Sequence, residues 1–479
     1  MQPIETFRSS LWILRQYFGA WTEPHLVRMA QKRQLRRLLK HTRTHSPFYR
    51  DKFRHLDPAC DDIRQFPPTT KAEMMANFDR VVTDPAIKRV DVERFIEDIG
   101  NVQRLFLGKY HVSHTSGSQG QPTLIVQENF VLKLLFGFQM TRGNVRYHNA
   151  AYATTKNLVN PTRLAVIINR QGFFPSAWVW KWMPESFRTY VRVMFLPAND
   201  PDLVAKLNDF SPGAITATPT TLDLLALKAD QLRFPQLQQL VANSENLSEN
   251  ARERLISTFH APVMNNYACG ECVFLTNGCP KLPGAHVNAD WAILEIVDDQ
   301  YRPVPYGQLG TKVLVTNLAN RVQPFIRYEV GDRVAMATEA CGCGNRLPRV
   351  GQILGRSADI FWVKTPSGYR PLTTFPFQHA LEYLKTVREW QAEQVERNRI
   401  VVHLEAMPGA VPDLDVARQR LDERVGTTGL RELLEIQVEL IPRLSADPET
   451  GKLKRMVSRV GIPSDLDAAS RAIATGSPR

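Results

Sequence analysis

A chain of 479 residues is too long for one compact core, so two or more domains are expected. Hydrophobic residues at 43% and charged residues at 23% are ordinary for a soluble globular protein. The 60 basic and 48 acidic side chains leave a net charge of +12, which suits polyanionic small substrates. Nucleic acid is disfavoured, because there is no arginine/aromatic repeat and no zinc-finger spacing. No apolar run can span a bilayer: the richest, Phe130 to Phe138, is short and interrupted by Lys133. Near the N-terminus, SSLWIL is followed at once by Arg15 without a small-residue cleavage site, which argues against a signal peptide. The six cysteines do not have the spacing of a disulfide framework, so a reducing cytoplasm is the simplest compartment.

Taken in chain order, Met29, Leu35, Leu38 and Leu39 recur at helical spacing among many cations, and Pro47 ends the pattern. YHVSH reads as a strand running into the loop HTSGSQGQPT, His114 to Thr123. Leu164–Asn169, Gly213–Pro219 and Ala261–Tyr267 read as buried strands. Helical stretches beginning at Thr220 and Ser248 separate them, with Ser248 as an N-cap. Such alternation indicates a parallel α/β sheet. AILEIVD, TKVLVTNL and PFIRYEVGDRVAM then follow with little helix between them, as in an antiparallel β region. Past Gly355, helix FPFQHALEYL, strand RIVVHLEA, helix DLDVARQRLDERV and strand LEIQVELI indicate a separate α+β unit. The expected domains are 1–355 and 356–479, an α/β large domain with mixed sheets and a small mobile α+β domain.

In the loop, Gly117 and Gly120 permit close backbone approach, and Thr115, Ser116 and Ser118 add hydroxyl donors. That composition can cradle phosphate or make a plain surface turn; it is not the Walker loop, since no lysine follows the glycines. Four later stretches each read blandly alone: NNYACGE ending in Glu271, RYEVGD ending in Asp332, GRSADI from Gly355, and GKLKR with Lys452 and Lys454. A second constellation is made of sulfur and imidazole. Cys341 and Cys343 form C-x-C in a glycine-rich loop, Cys279 and His286 lie seven apart, and Cys269 and Cys272 form C-x-x-C. Thiolates and imidazole in a set of four are what a closed structural zinc site needs. Cys279, His286, Cys341 and Cys343 are the favoured set, with a Cys272–Cys279 alternative open.

Together, in this order, the four stretches and the loop resemble the adenylate-forming superfamily of acyl-CoA synthetases, nearest its phenylacetate–CoA ligase branch with the deazaflavin-adenylating synthetases. The resemblance runs from roughly residue 30 to 460. It implies an acid–thiol ligase that activates a carboxylic acid, aromatic by the same resemblance, as an acyl adenylate with release of pyrophosphate. The acyl group then passes to a thiol such as coenzyme A. The alternatives are adenylation without thioester formation, transfer to an amine, and a non-catalytic scaffold of the same fold. ATP, Mg2+ and coenzyme A are the implied small molecules, with zinc as a structural ion. No nucleic-acid partner is implied, and a homodimer is compatible.

The same resemblance assigns roles. The loop Thr115, Ser116, Gly117, Ser118 and Gly120 would hold the β- and γ-phosphates. Glu271 would carry magnesium, for which a hard oxygen ligand is suited. Asp332 would accept both ribose hydroxyls. Tyr267, beside Asn266, would stack on adenine, and Asn243, Ser244 and Glu245 would line the adenine and acyl pockets. Arg356 would touch ribose and phosphate, while Lys452 would bridge the α-phosphate and the carboxylate. The chain departs from the family pattern at Gln119, Gly270 and Ala358, where a hydroxyl, a threonine and a carboxylate are usual.

Overall fold

The computed structural model describes residues 22–115, 123–143, 161–168, 172–444 and 455–463, apart from single residues and runs of up to three within these spans, together with six residues between 11 and 19. The basic helix runs from Pro24 to His45, and Ser46 caps the short helix that Pro47 opens. Leu35, Leu38 and Leu39 are buried with Val27 and Thr42, but Met29 is 65% exposed. Met29 therefore lies off the packed stripe expected to include it. The stripe follows 27, 35, 38 and 42, one side of a 3.6-residue period.

Strands β1 (Tyr110–His114) and β2 (Leu124–Glu128) pair antiparallel, with His114 opposite Leu124, so the loop between them is the connection of a hairpin. The next five strands form one all-parallel sheet: β3 (Thr162–Ile168), β4 (Val191–Pro197), β5 (Ala214–Ala217), β6 (Gln239–Ala242) and β7 (Val263–Asn265). Their spatial order is β4-β3-β5-β6-β7. Helices Leu203–Phe210, Pro219–Ala226 and Glu249–Phe259 connect them, as the alternating sequence predicts. Ala165, Ile167, Ile215, Leu240 and Val263 on the strands pack with Leu207, Leu222 and Leu255 on the helices. The first strand lies inside the sheet and the chain departs from it to both sides. A crevice forms at such a reversal, outside the carboxyl ends of the strands, and ligands bind there in open α/β sheets.

The β region follows: β8 (Thr276–Gly278), β9 (Ala285–Val287), β10 (Ala292–Val297), β11 (Lys312–Asn317), β12 (Tyr328–Val330), β13 (Asp332–Met336) and β14 (Arg349–Arg356). The run PFIRYEVGDRVAM is not one strand. It breaks at Gly331, so β12 joins the β10-β11-β12 sheet while β13 joins β13-β14-β9-β8. Asp332 therefore stands where the chain changes sheets, and its backbone lies opposite Arg356.

Residues from 360 onward supply a core of their own. A hairpin of β15 (Ile360–Thr365) and β16 (Gly368–Thr373) precedes a sheet ordered β19-β18-β17-β20, built from β17 (Val387–Glu396), β18 (Arg399–Ala406), β19 (Glu435–Ile441) and β20 (Met456–Ser458). Trp390, Ala392, Ile400, Val402 and Ile436 pack with Phe377, Leu381, Leu421 and Val425 of the two helices. Strand β17 carries too many polar residues to stand out by periodicity. Among the described residues, no helix is long and apolar enough to cross a membrane.

Candidate active site

The carboxyl ends of β5, β6 and β7 are stitched together by the residues that follow them. Asn243 N–H donates to the Ala217 carbonyl at 3.2 Å, and Asn266 N–H to the Ala242 carbonyl at 2.9 Å. The Asn243 amide donates to Thr216 Oγ1 at 2.8 Å, and Ser244 Oγ to Asn243 Oδ1 at 2.9 Å. Ser244 is exposed, with φ +69°, a left-handed conformation unusual for a residue with a Cβ. A strained polar residue at the carboxyl edge of a parallel sheet is what a ligand-facing turn looks like.

Tyr267 leaves β7 and is held at both ends. Its N–H donates to Thr276 Oγ1 at 2.9 Å, and the Thr276 hydroxyl donates back to the Tyr267 carbonyl at 2.6 Å. Its own hydroxyl donates to Asp332 Oδ2 at 2.8 Å. The ring is 7% exposed, so packing fixes its plane while Asp332 fixes its tip. Two residues 65 apart in sequence are thus one unit. Asp332→Ala is expected to weaken nucleotide binding, since each charge-assisted hydrogen bond lost is worth ~1.5–3 kcal/mol. It also strips Tyr267 of its acceptor. Calorimetric titration with ATP checks this: unchanged affinity removes Asp332 from the site.

Glu271 lies four residues past Tyr267, in the turn where Cys272 N–H donates to the Cys269 carbonyl at 3.0 Å. Its carbonyl accepts from the Asn317 amide at 2.8 Å, and its side chain is buried. Among the described residues no cation pairs with it. A buried carboxylate with no cation paired to it among the described residues fits a divalent cation held on oxygen. Burial pushes the Cys269 thiol well above its ordinary value, and the nearby charges of Glu271 and Asp332 push it further in that direction.

The hairpin loop is closed at its neck. Thr115 N–H donates to the Thr123 carbonyl at 3.1 Å, and Thr123 N–H to Thr115 Oγ1 at 2.9 Å. A Cβ on Gly270 would stand 3.3 Å from Thr115 Cγ2 and 2.7 Å from Ile125 Cδ1. The glycine in place of the family's threonine thus accommodates Ile125 beneath the loop. Ser116, Gly117, Ser118 and Gly120 of the loop, Glu245 and Lys452 lie outside the described residues. Arg356 is brought opposite Asp332 by backbone register.

The cysteine–histidine set converges at the far end of β8 and β9. The ligand atoms of Cys279, His286, Cys341 and Cys343 all lie within 4.8 Å of one another. Cys279 Sγ is 3.2 Å from Cys341 Sγ, and Cys343 Sγ is 3.4 Å from His286 Nε2. His286 Nδ1 is 3.0 Å from the Leu347 carbonyl; as the donor there, it leaves Nε2 aimed at the sulfurs. Backbone N–H groups of Lys281 and Leu282 point at Cys279 Sγ, and that of Asn345 at Cys343 Sγ, each at 3.4 Å. The contact with Cys343 holds the Cys279 thiol below its ordinary value, favouring a thiolate, and the same contact raises Cys343. Gly284, with φ +94°, lets the β8–β9 turn lie against Val350: a Cβ there would stand 1.9 Å from the Val350 carbonyl oxygen. Four sulfur and nitrogen donors closed on a common centre, with the histidine oriented from behind, fit a tetrahedral zinc ion. Cys269 and Cys272 are not in the cluster.

Sequence reasoning did not single out Thr276, Asn317, Thr123 or Tyr328 as site residues. Thr276 and Asn317 are ordinary strand residues until the sheets bring them to Tyr267 and Glu271, and the Thr123 hydroxyl, just before β2, meets that of Tyr328 on β12 at 3.2 Å.

No family model matches the chain. Phenylacetate-coenzyme A ligase of Thermus thermophilus is 24% identical over 377 residues, 72% of this chain and 73% of that protein. Among solved structures, 2-hydroxyisobutyryl-CoA ligase in complex with 2-HIB-AMP and CoA in the thioesterification state matches with a TM-score of 0.58 at 18% identity, covering 96% of this chain and 94% of that one. The same ligase in its postadenylation state with R3-HIB-AMP gives 0.57 at 19%, covering 93% and 92%. At these identities the two structures establish a shared fold. The chain is thus similar in sequence to a phenylacetate-coenzyme A ligase and shares its fold with 2-hydroxyisobutyryl-CoA ligase.

Proposed function

We propose that this protein is an acid–thiol ligase that activates a carboxylic acid, aromatic in its preferred substrates, with ATP and passes the acyl group to coenzyme A. The observation that carries this reading is the Tyr267–Asp332 unit beside buried Glu271 and the neck of the hairpin loop. Three chemically distinct features of a nucleotide have counterparts there: a planar base for Tyr267, a ribose diol for Asp332, and phosphates for the loop.

In the first half-reaction a substrate carboxylate oxygen forms a bond to the α-phosphorus. The bond from that phosphorus to the pyrophosphate oxygen breaks, leaving an acyl adenylate. Asp332, with one oxygen held by Tyr267, keeps lone pairs for the ribose hydroxyls. Thr115, Ser116, Gly117, Ser118 and Gly120 would hold the leaving phosphates, and Glu271 would hold Mg2+, which offsets their charge. Lys452 would bridge the attacking carboxylate and the α-phosphate, and Arg356 would touch ribose and phosphate. Positioning and charge neutralisation supply most of the acceleration in such displacements. In the second half-reaction the thiol sulfur attacks the acyl carbonyl carbon, loses its proton and expels AMP. The residues from 356 onward act as a lid that turns between the two steps. Cys279, His286, Cys341 and Cys343 would hold a structural zinc ion that pins the β13–β14 turn to the β8–β9 hairpin.

Pyrophosphate release with ATP across a panel of aryl and aliphatic acids tests the reading. Acid-dependent release, highest with an aryl acid and followed by an acyl-CoA product, is expected. Release without thioester would move the second step to an amine acceptor, and no release with any acid would sink the reading.

A further inference from the structure

The basic helix Pro24–His45 is anchored along one side. Leu35, Leu38 and Leu39 enter the main core, and the Gln31 amide donates to the carbonyls of Ala289 and Ala292 at 2.6 and 3.1 Å. These contacts fix which side of the helix faces water. Along that side Leu26, Met29, Arg33, Arg37 and Lys40 follow one another in steps of three and four, so they form a single row, and all five are exposed.

The cations of this row destabilise the helix that carries them. Its 22 residues include seven lysines and arginines and no acidic residue. Arg33 and Arg37 stand one turn apart with like charge, as do Lys32 and Arg36, and Arg36 and Lys40; an acid at one member of each pair would stabilise the helix instead. Asp61 answers Lys32 and Arg36, at 3.7 and 2.6 Å. Among the described residues no acidic side chain pairs with Arg33, Arg37 or Lys40. A face that served solubility alone would intersperse both signs. At its N-terminal end the row is apolar, with Leu26 45% and Met29 65% exposed. Leu11 and Phe18, just ahead in the chain, are exposed as well. Of the thirteen large hydrophobic side chains exposed among the described residues, four thus lie between 11 and 29, which sets them next to the cations in the chain.

We propose that the outer face of Pro24–His45 docks the protein on the surface of an anionic lipid bilayer, with Arg33, Arg37 and Lys40 meeting headgroup phosphates and Leu26 and Met29 entering the interface beside them. The charge complementarity is one-signed, as an anionic leaflet requires, and a cluster of cations on one helix is the usual form of such a contact. The exposed apolar end favours a bilayer over a nucleic-acid backbone, because a headgroup layer has hydrocarbon beneath it and a phosphate backbone does not. The inner face of the helix is already packed, so the row is preorganised and binding orders little that was loose. Attachment of this kind is peripheral and weakens with salt, since exposed charges act over about one Debye length, ~8–10 Å at physiological ionic strength.

Co-sedimentation of the full chain with vesicles of equal parts phosphatidylcholine and phosphatidylglycerol, against vesicles of phosphatidylcholine alone, tests this over a salt series. Binding to the anionic vesicles only, falling steeply as salt rises, is expected. Arg33→Gln, Arg37→Gln and Lys40→Gln combined should weaken it on the order of a hundredfold, about fivefold for each cation. The thermal midpoint of that variant should stay at or above the parental value, because like-charge repulsion along the helix is relieved. Leu26→Gln with Met29→Gln leaves every charge in place and should weaken binding by at least about fivefold; this pair decides the matter if the charge variant does not fold. Absence of binding to anionic vesicles overturns the proposal, as does equal binding to both kinds of vesicle or parental binding by either folded variant. A mixed-sequence DNA duplex held through the same three cations more tightly than the anionic vesicles would overturn it too, and would assign the face to nucleic acid.

Discussion

Lys452→Ala is expected to cut pyrophosphate release with ATP and acid by a hundredfold or more, yet to leave thioester formation from a pre-formed acyl adenylate nearly intact. The asymmetry follows from where charge moves. During adenylation, negative charge passes between the carboxylate and the α-phosphate, and a flexible ammonium can meet it wherever it develops. One well-placed cation in a desolvated site is worth ~3–4 kcal/mol of transition-state stabilisation. Once the adenylate exists, that charge has been resolved and the thiol attacks carbon, where Lys452 has no work. Lys454→Ala is the control and should be mild. The two half-reactions are assayed separately, as pyrophosphate release and as acyl-CoA from synthetic adenylate. A dead Lys454→Ala beside an active Lys452→Ala would move the role two residues along. Full adenylation in both variants would mean the small domain does not close over the nucleotide.

Purified protein is expected to contain about one zinc ion per chain, and Cys341→Ser to lose it with a fall in the thermal midpoint of at least ~5 °C. Cys341 and Cys343 lie in the turn between β13 and β14, while Cys279 and His286 belong to the β8–β9 hairpin. Those elements share one sheet, in which β14 pairs with β9 and His286 lies opposite Arg349. The ion would close a turn that short strands hold weakly. The consequence would reach the proposed nucleotide site: Asp332 begins β13, and Thr276, which locks the Tyr267 backbone, begins β8. A chelator should therefore lower both the midpoint and the affinity for ATP. Cys60→Ser, at a half-buried thiol outside the cluster, should change neither. Metal analysis showing no zinc, with a midpoint indifferent to chelator, would end the assignment.

Local order was legible in the residues themselves. The strand RIVVHLEA occupies Arg399–Ala406, the following helix begins one residue after its expected start, and LEIQVELI becomes β19 from Glu435. Alternation of short apolar runs with helical stretches was enough for the parallel sheet, because each connecting helix must return the chain to the same edge. The same local signal failed where polarity and packing diverged. Strand β17 is too polar to show its period, and Met29 keeps helical spacing yet points at solvent.

The motifs proposed for the site are visible in the sequence, because their order along the chain resembles that of a known family. The wiring between motifs could not. Tyr267 donating to Asp332, Thr123 meeting Tyr328, and Cys279 meeting Cys341 depend on which strands become neighbours. Periodicity shows which face of a strand is buried; it carries no record of the partner strand or the register. Only the break at Gly331 decided that Tyr328 and Asp332, four residues apart, would serve different sheets. The residues were chosen by chemistry visible in one dimension, and their distances were set by sheet pairing, which is a property of the folded chain.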